Sequence, residues 1–400
     1  MAALLDGIRV LDLTNVLAGP FCGYQLALVG AEVIKVEVPE GGDLARQLGA
    51  DPELNRRFMG ASFLAQNAGK KSLTLNLKHP EGKALFRRLV ATADVVLENF
   101  RPGVMDRLGL GWKALSELRP ELIYCAISGF GQDGPLRDNP AYDQIIQGLS
   151  GVMSITGDPG SAPLRVGYPV CDTIGGITAA FAIAAALAGR ARSGKGQFID
   201  VSMLESTLVT LGWAVSNLLI AGRAPEPMGN DNMSASPSGT FRTGQGLLNI
   251  AANKQEQYET LCRVVGRPDL AIDWRFADRE ARKRNRAILS AELEQALASD
   301  SALNWEHRLN AVGVPAGRVL SVAEVLAHPQ VRERGLLRRF APSAGVERDI
   351  TVVRSGFRLS GGDPGVATPP PQLGEHTEAI LTELGLGPED ITRLRESAVI

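Results

Sequence analysis

Roughly the first 130 residues switch repeatedly between a strand period and a helix period, and this alternation limits the fold more than any other feature. Ile8–Leu13, Glu32–Val36, Ser72–Leu77, Val95–Glu98 and Leu122–Ile127 read as short strands rich in Val, Ile and Leu. Helical stretches separate them: Phe21–Val29 after Gly19-Pro20, a segment that Pro80 opens and that runs through Val90, and pieces around Met105 and Leu115. Strands alternating with helices imply an α/β fold, a Rossmann-like parallel sheet covered on both faces, because each crossover lays a helix on the sheet. A strand at Gln197–Val201 and a long helix from Met203 to Ile220 are expected to follow.

Composition then shifts. Residues 222–243 are rich in Pro, Gly, Asn and Ser, the mark of a linker or exposed loop. A smaller, charge-rich and mainly helical region follows, with one strand near Leu247–Ala251. The tail carries a strand-like run at Ile350–Val353, then Pro369-Pro370-Pro371 and an amphipathic helix from His376 to Leu384. The expected organisation is a large α/β domain over 1–221, a linker and small α+β domain over 222–340, and a return segment, 341–400, that completes the large domain.

The formal charge of −2 gives no basic face for nucleic acid. No charged-then-apolar leader precedes the first strand. The longest apolar stretch, Ile174–Ala188, reads as a buried helix too short to span a bilayer, so no membrane partner is expected. The four cysteines, Cys22, Cys125, Cys171 and Cys262, are widely spaced and have no histidine cluster beside them. That pattern fits neither a zinc site nor a disulfide framework, and it suits a reducing cytoplasm.

The chemistry-bearing patterns are few. The first strand–turn–helix–strand unit imitates a dinucleotide site, but its turn is Ala18-Gly19-Pro20-Phe21-Cys22-Gly23, not G-x-G-x-x-G. Pro20 also removes an amide that a pyrophosphate would use. His79, His307, His328 and His376 form no catalytic pair, and no Walker, G-x-S-x-G or H-E-x-x-H pattern is present. Lys70, Lys71, Lys78, Arg101, Arg107 and Arg137 lie at loop positions, several just beyond strand ends, where open α/β sheets bind ligands. Asp172 lies at a loop-to-helix junction before Gly175-Gly176, which puts a carboxylate at the positive end of a helix. It reads either as an ordinary N-cap or as a carboxylate nucleophile. Cys171 beside it reads as a buried structural thiol.

Several ordered motifs decide between these. Asp6-Gly7-Ile8-Arg9-Val10-Leu11-Asp12, Val16-Leu17-Ala18-Gly19-Pro20 and Leu28-Val29-Gly30-Ala31-Glu32-Val33-Ile34-Lys35-Val36-Glu37 are similar to the start of a class III coenzyme A transferase. Lys70–Lys78, Glu98-Asn99-Phe100-Arg101-Pro102-Gly103, Ser128-Gly129-Phe130-Gly131 and Leu373-Gly374-Glu375-His376-Thr377 extend the resemblance end to end. The family holds formyl-CoA, carnitine-CoA and succinyl-CoA:dicarboxylate transferases. The resemblance implies that Asp172 is the nucleophile and that Leu17, Ala18, Leu75, Lys78, Asn99, Phe100, Arg101, Arg107 and Tyr142 contact CoA. It implies no metal and no cofactor, CoA thioester being substrate, and an interlocked homodimer. It further implies transfer of CoA from a donor such as succinyl-CoA to a short dicarboxylate.

Three departures accompany it. Leu17 stands where formyl-CoA transferase has a glutamine, Val38 replaces a CoA-binding arginine, and the glycine-tetrad lid is absent. These disfavour oxalate as acceptor and pass a phosphate contact to Lys70 or Lys71. The racemases of the superfamily use a histidine within Gly-His-Asp; here the triplet is Ala141-Tyr142-Asp143, and tyrosine, with an ordinary pKa near 10, is a poor base. Hydrolysis of an aspartyl-CoA intermediate is a third reading.

Overall fold

The computed structural model describes residues 3–400. Six parallel strands form its main sheet: β1 (Arg9–Asp12), β2 (Glu32–Glu37), β3 (Lys71–Thr74), β4 (Val95–Glu98), β5 (Ile123–Ser128) and β6 (Gln197–Ser202). Their spatial order is β3-β2-β1-β4-β5-β6, with Val10 opposite both Val33 and Val95. Successive residues of a strand point to opposite faces, and the core divides accordingly. Val10, Val33, Val95, Leu97 and Cys125 pack toward the Ala18–Leu28 and Val170–Ser193 helices. Leu11, Ile34, Val96 and Tyr124 pack on the other face, toward the Pro80–Val90 helix and the C-terminal residues Ile380, Leu394 and Ile400. The strands from β1 to β5 are therefore buried on both sides, whereas the edge strand β6 is partly exposed.

The chain forms two compact units. The first comprises residues up to Val152, Arg165–Arg223 and Glu333–Ile400; the second comprises Met153–Leu164 and Ala224–Arg332. Residues 153–164 thus group with the second unit and not with the segments on either side of them. The C-terminal tail is tied to the first unit by backbone bonds from Asn76 to Val399 (2.7 Å) and from His376 to Ser72 (2.9 Å). Within the second unit, β7 (Ser238–Arg242), β8 (Leu247–Ala251) and β9 (Ala316–Arg318) form an antiparallel sheet. Trp305, Leu289 and Leu293 fill its core.

Three elements differ from expectation, and one gains an unexpected partner. β3 ends at Thr74, because Asn76 turns its N–H to Val399. The helix expected over 203–220 is two helices, Met203–Thr210 and Trp213–Ala221, bent by 77° at Gly212, whose φ of +45° no L side chain adopts easily. The strand expected at Ile350–Val353 is present as β11, and it pairs antiparallel with β10 (Leu337–Phe340), a strand the sequence reading did not include. The apolar stretch at 174–188 belongs to a 24-residue helix, Val170–Ser193, which is long and apolar enough to cross a bilayer by length and composition. Here that helix packs on the Ala18–Leu28 helix at Gly176, where a Cβ would lie 2.4 Å from the Ala18 carbonyl oxygen. Phe181 on its outer side is 75% exposed.

Candidate active site

In this strand order β1 and β4 are neighbours whose following connections leave in opposite directions, so a crevice opens beyond their C-terminal ends. The loops after the two strands are pinned to each other. Asn15 N–H donates to Asn99 Oδ1 at 2.8 Å, and Asn99 Nδ2 donates back to the Asn15 carbonyl at 2.9 Å. A cavity of about 240 Å³ lies there, and Asn15, Val16, Ala18, Asn99, Phe100 and Arg101 form one wall. Arg137, Tyr142, Asp172 and Met203 complete it. A more open cavity of about 440 Å³ in the second unit, lined by Asn230, Asp231, Asn249 and Gly317, contains none of the expected site residues.

Asp172 is the third residue of its helix, not its N-cap. The capping falls to Asp143, from the neighbouring Asp143–Leu149 helix, whose Oδ1 accepts the N–H groups of Cys171 (2.8 Å) and Asp172 (3.3 Å). The orphan amides of a helix start are thereby satisfied from outside, and the Asp172 carboxylate is left without a hydrogen bond or ion pair among the described residues. Burial, and then the negative charge of Asp143, push the pKa of Asp172 up to about 7. A carboxylate already fully ionised at neutral pH, as its residue type suggests, is thus not what the site holds. Burial and the like charge of Asp143 favour the protonated form, and the ionised form is correspondingly more basic.

Asp143 is itself fixed. Its Oδ2 accepts Gln147 Nε2 at 2.7 Å, and Arg165 approaches it to 3.7 Å. Gln147, fully buried, also accepts from Val166 N–H at 2.9 Å, so it holds the loop that leads into the Asp172 helix. Sequence reasoning named Asp143 only as part of a triplet and missed Gln147. A polar pair at i and i+4, Asp143 and Gln147, was the available signal.

Of the expected CoA contacts, Ala18, Asn99, Phe100, Arg101 and Tyr142 line the cavity. Leu17 is the N-cap of the Ala18–Leu28 helix, between two residues that do. Leu75 is buried in the core on the opposite face of the sheet. Lys78 is exposed and off the cavity wall; Arg107 is exposed too, with its guanidinium over the Gly103 turn. Lys70 cannot take a phosphate: it is fully buried, 2.8 Å from Asp12 Oδ2 and 2.9 Å from the Pro20 carbonyl. Lys71 pairs with Glu32. None of the four histidines lines the cavity. Cys171 is buried and burial raises its thiol pKa, which makes it a poor nucleophile.

The pH dependence follows from Asp172. Attack needs the ionised form, so kcat/KM for the acyl-CoA donor should fall about ten-fold per pH unit below a midpoint near 7, and level off above it. Asp143→Asn removes the like charge and should move that limb to lower pH. An unmoved limb would show that Asp143 does not bear on the titrating group.

Comparison with known proteins gives the family of the chain. The model of CoA-transferase family III matches residues 5–377. A succinate–glutarate CoA-transferase of Agrobacterium fabrum is 42% identical over 391 residues, covering 95% of both chains. An acetyl-CoA:oxalate CoA-transferase of Acetobacter aceti is 40% identical, covering 94% of this chain and 95% of the relative. The crystal structure of a CAIB/BAIF family protein from Brucella suis superposes with a TM-score of 0.83 at 38% identity, covering 96% of this chain and 100% of that one. The chain belongs to the family III CoA-transferases.

Proposed function

We propose that this CoA-transferase takes coenzyme A from a donor such as succinyl-CoA and passes it to a short dicarboxylic acid, with Asp172 as the covalent carrier. The observation that carries this is a carboxylate with no internal partner, set in a cavity at the sheet's switch point and poised to ionise near neutral pH. An oxygen of Asp172 attacks the thioester carbonyl; the C–S bond breaks, CoA leaves as thiolate, and an acyl-aspartyl anhydride forms. The thiolate attacks the aspartyl carbonyl carbon and expels the donor acid, leaving an aspartyl-CoA thioester. The acceptor carboxylate displaces the thiolate from that carbon, forming a second anhydride. Thiolate attack on the acceptor's carbonyl then releases the new acyl-CoA and regenerates Asp172. Charges and bonds balance in each step, so the protein supplies positioning and donors for the tetrahedral oxyanions.

Arg137 on the cavity wall is the candidate for the second carboxylate of a dicarboxylate. Leu17 and Val38 argue against oxalate, but a relative 40% identical carries oxalate in its name, so oxalate belongs in the acceptor panel. Acyl-CoA donors incubated with di- and monocarboxylic acids, read by mass spectrometry, test the proposal. CoA should appear on a dicarboxylate. Free acid and CoA alone would point to hydrolysis, and rapid deuteration of a 2-methylacyl-CoA in D₂O would point to racemisation.

CoA phosphates are assigned to Arg101, Arg107 and Lys78. Alanine at one of them should raise KM for acyl-CoA about ten-fold, since a charge-assisted bond contributes roughly 1.5–3 kcal/mol. An unchanged KM in all three would place the nucleotide elsewhere. The interlocked homodimer is supported by exposed apolar side chains, Val209, Trp213, Leu219 and Ile220, each more than 70% accessible. The four cysteines, all unpaired, suit the cytoplasm.

A further inference from the structure

One residue on the cavity wall has a backbone conformation that its side chain disfavours. Val16 has φ +69°, in the left-handed region that β-branched residues avoid. Such a conformation persists where the surroundings over-determine it, and here they do. Asp43 Oδ1 accepts the N–H groups of Val16 and Ala45, both at 2.9 Å. Its other oxygen lies 2.9 Å from Lys35 Nζ, which donates to the Thr14 carbonyl at 2.7 Å. The Asp43 N–H donates to Glu37 Oε1 at 3.0 Å, and Glu37 is gripped by Arg46 through bonds of 2.6 and 2.8 Å. Asn99 holds Asn15 from the other side. Lys35, Glu37, Asp43 and Arg46 are buried, and none of them lines the cavity.

The amides of Leu17, Ala18 and Gly19, at the start of an 11-residue helix, keep no acceptor among the described residues. They sit at the positive end of that helix, and Ala18 is on the cavity wall with Asp172.

We propose that Asp43 is a positioning residue: by clamping Val16 in its left-handed conformation, it aims the Leu17 and Ala18 amides at the carbonyl that Asp172 attacks. This rests on the reading of Asp172 as the nucleophile of CoA transfer. The buried ion pairs then do more than fill the core beneath β1 and β2. They fix the loop, so that its donors need no reorganisation when negative charge develops on the oxyanion.

The test is a set of variants under steady-state kinetics with hydrogen exchange over residues 13–19. Asp43→Ala should lower kcat by roughly ten- to a hundred-fold, the range for a misplaced oxyanion donor, with KM for acyl-CoA within about two-fold of wild type. Adding Val16→Gly to Asp43→Ala should restore kcat about ten-fold, because glycine adopts positive φ without a clamp. A merely structural loss would not be reversed by glycine, which costs backbone entropy. Should Asp43→Ala fail to fold, Val16→Pro leaves the ion pairs intact yet excludes both positive φ and the N–H, and it should show the same kcat loss. Wild-type kcat in Asp43→Ala or Val16→Pro, or no recovery in the double variant, would overturn the proposal. Hydrogen exchange separates the two readings. Slow exchange at residue 16 that becomes fast in Asp43→Ala, in a wild-type protein that transfers no CoA, would sink the transfer reading and leave the clamp. Equal exchange in both would sink the clamp.

Discussion

Replacing Asp172 by alanine is expected to remove CoA transfer while making the protein more stable above neutral pH. The first effect should be about 10⁴-fold or more in kcat, the scale seen when a covalent nucleophile is deleted, since no other cavity residue can form the anhydride. The second effect comes from linkage. The folded-state pKa of Asp172 is raised to about 7 from an ordinary 3.8. The native state therefore holds a proton that the unfolded chain has lost, and stability falls as pH rises through that window. Above about pH 7 the whole penalty is present, at most about 4 kcal/mol for a shift of about three units at 1.36 kcal/mol each. Thermal unfolding at about pH 8 should show a higher Tm for Asp172→Ala than for wild type, and the difference should vanish near pH 4. A lower Tm at pH 8 would mean that the carboxylate has a stabilising partner after all.

A comparably large loss of stability is expected at Lys70, with no direct effect on ligand binding. Its ammonium is fully buried against Asp12. Burial pulls Lys70 down and pushes Asp12 up, but the ammonium groups of Lys70 and Lys35 hold Asp12 ionised, below its usual range. Asp12 Oδ1 also takes the Thr14 N–H at 2.9 Å, and Gly23 is small because a Cβ there would lie 2.7 Å from Asp12 Oδ2. Lys70→Met leaves a buried carboxylate short of its partner and should cost about 3–5 kcal/mol. Adding Asp12→Asn should recover part of that, as expected of neighbours in one network. In denaturant titrations a wild-type midpoint for Lys70→Met would refute the buried pair. A raised KM with unchanged stability would return Lys70 to the phosphates.

That contrast shows what can be read from the chain alone. The six strands were visible because short Val-, Ile- and Leu-bearing runs alternate with helical stretches, a local signal. Asp172 was visible because it lies at a loop-to-helix junction and because motifs elsewhere in the chain carry the family resemblance that implies its role. A lysine in the turn before a strand, by contrast, looks the same whether it meets a phosphate or a buried aspartate 58 positions earlier. The N-cap reading of Asp172, open in the sequence beside the nucleophile, fails for a similar reason. Asp172 is the right residue type at the right place, and only the tertiary approach of Asp143, 29 positions away, takes the role from it. The bend at Gly212 falls within an apolar run, where a lone glycine also suits a straight helix. The hairpin of β10 and β11 was missed because a single alternating strand does not announce its partner. Local periodicity thus placed the strands, while the switch point, which strand order creates, and the ion pairs that shape the loop over the cavity depend on contacts between distant residues.

The central claim, that Asp172 becomes covalently bound to acyl groups, has a direct measurement. The enzyme is incubated with donor acyl-CoA and hydroxylamine, which traps an activated carboxyl as its hydroxamate, and the peptides are mapped by mass spectrometry. The account predicts hydroxamate at Asp172 alone, dependent on the donor and absent without it. Turnover with an unlabelled Asp172, or label on another carboxylate, would contradict it.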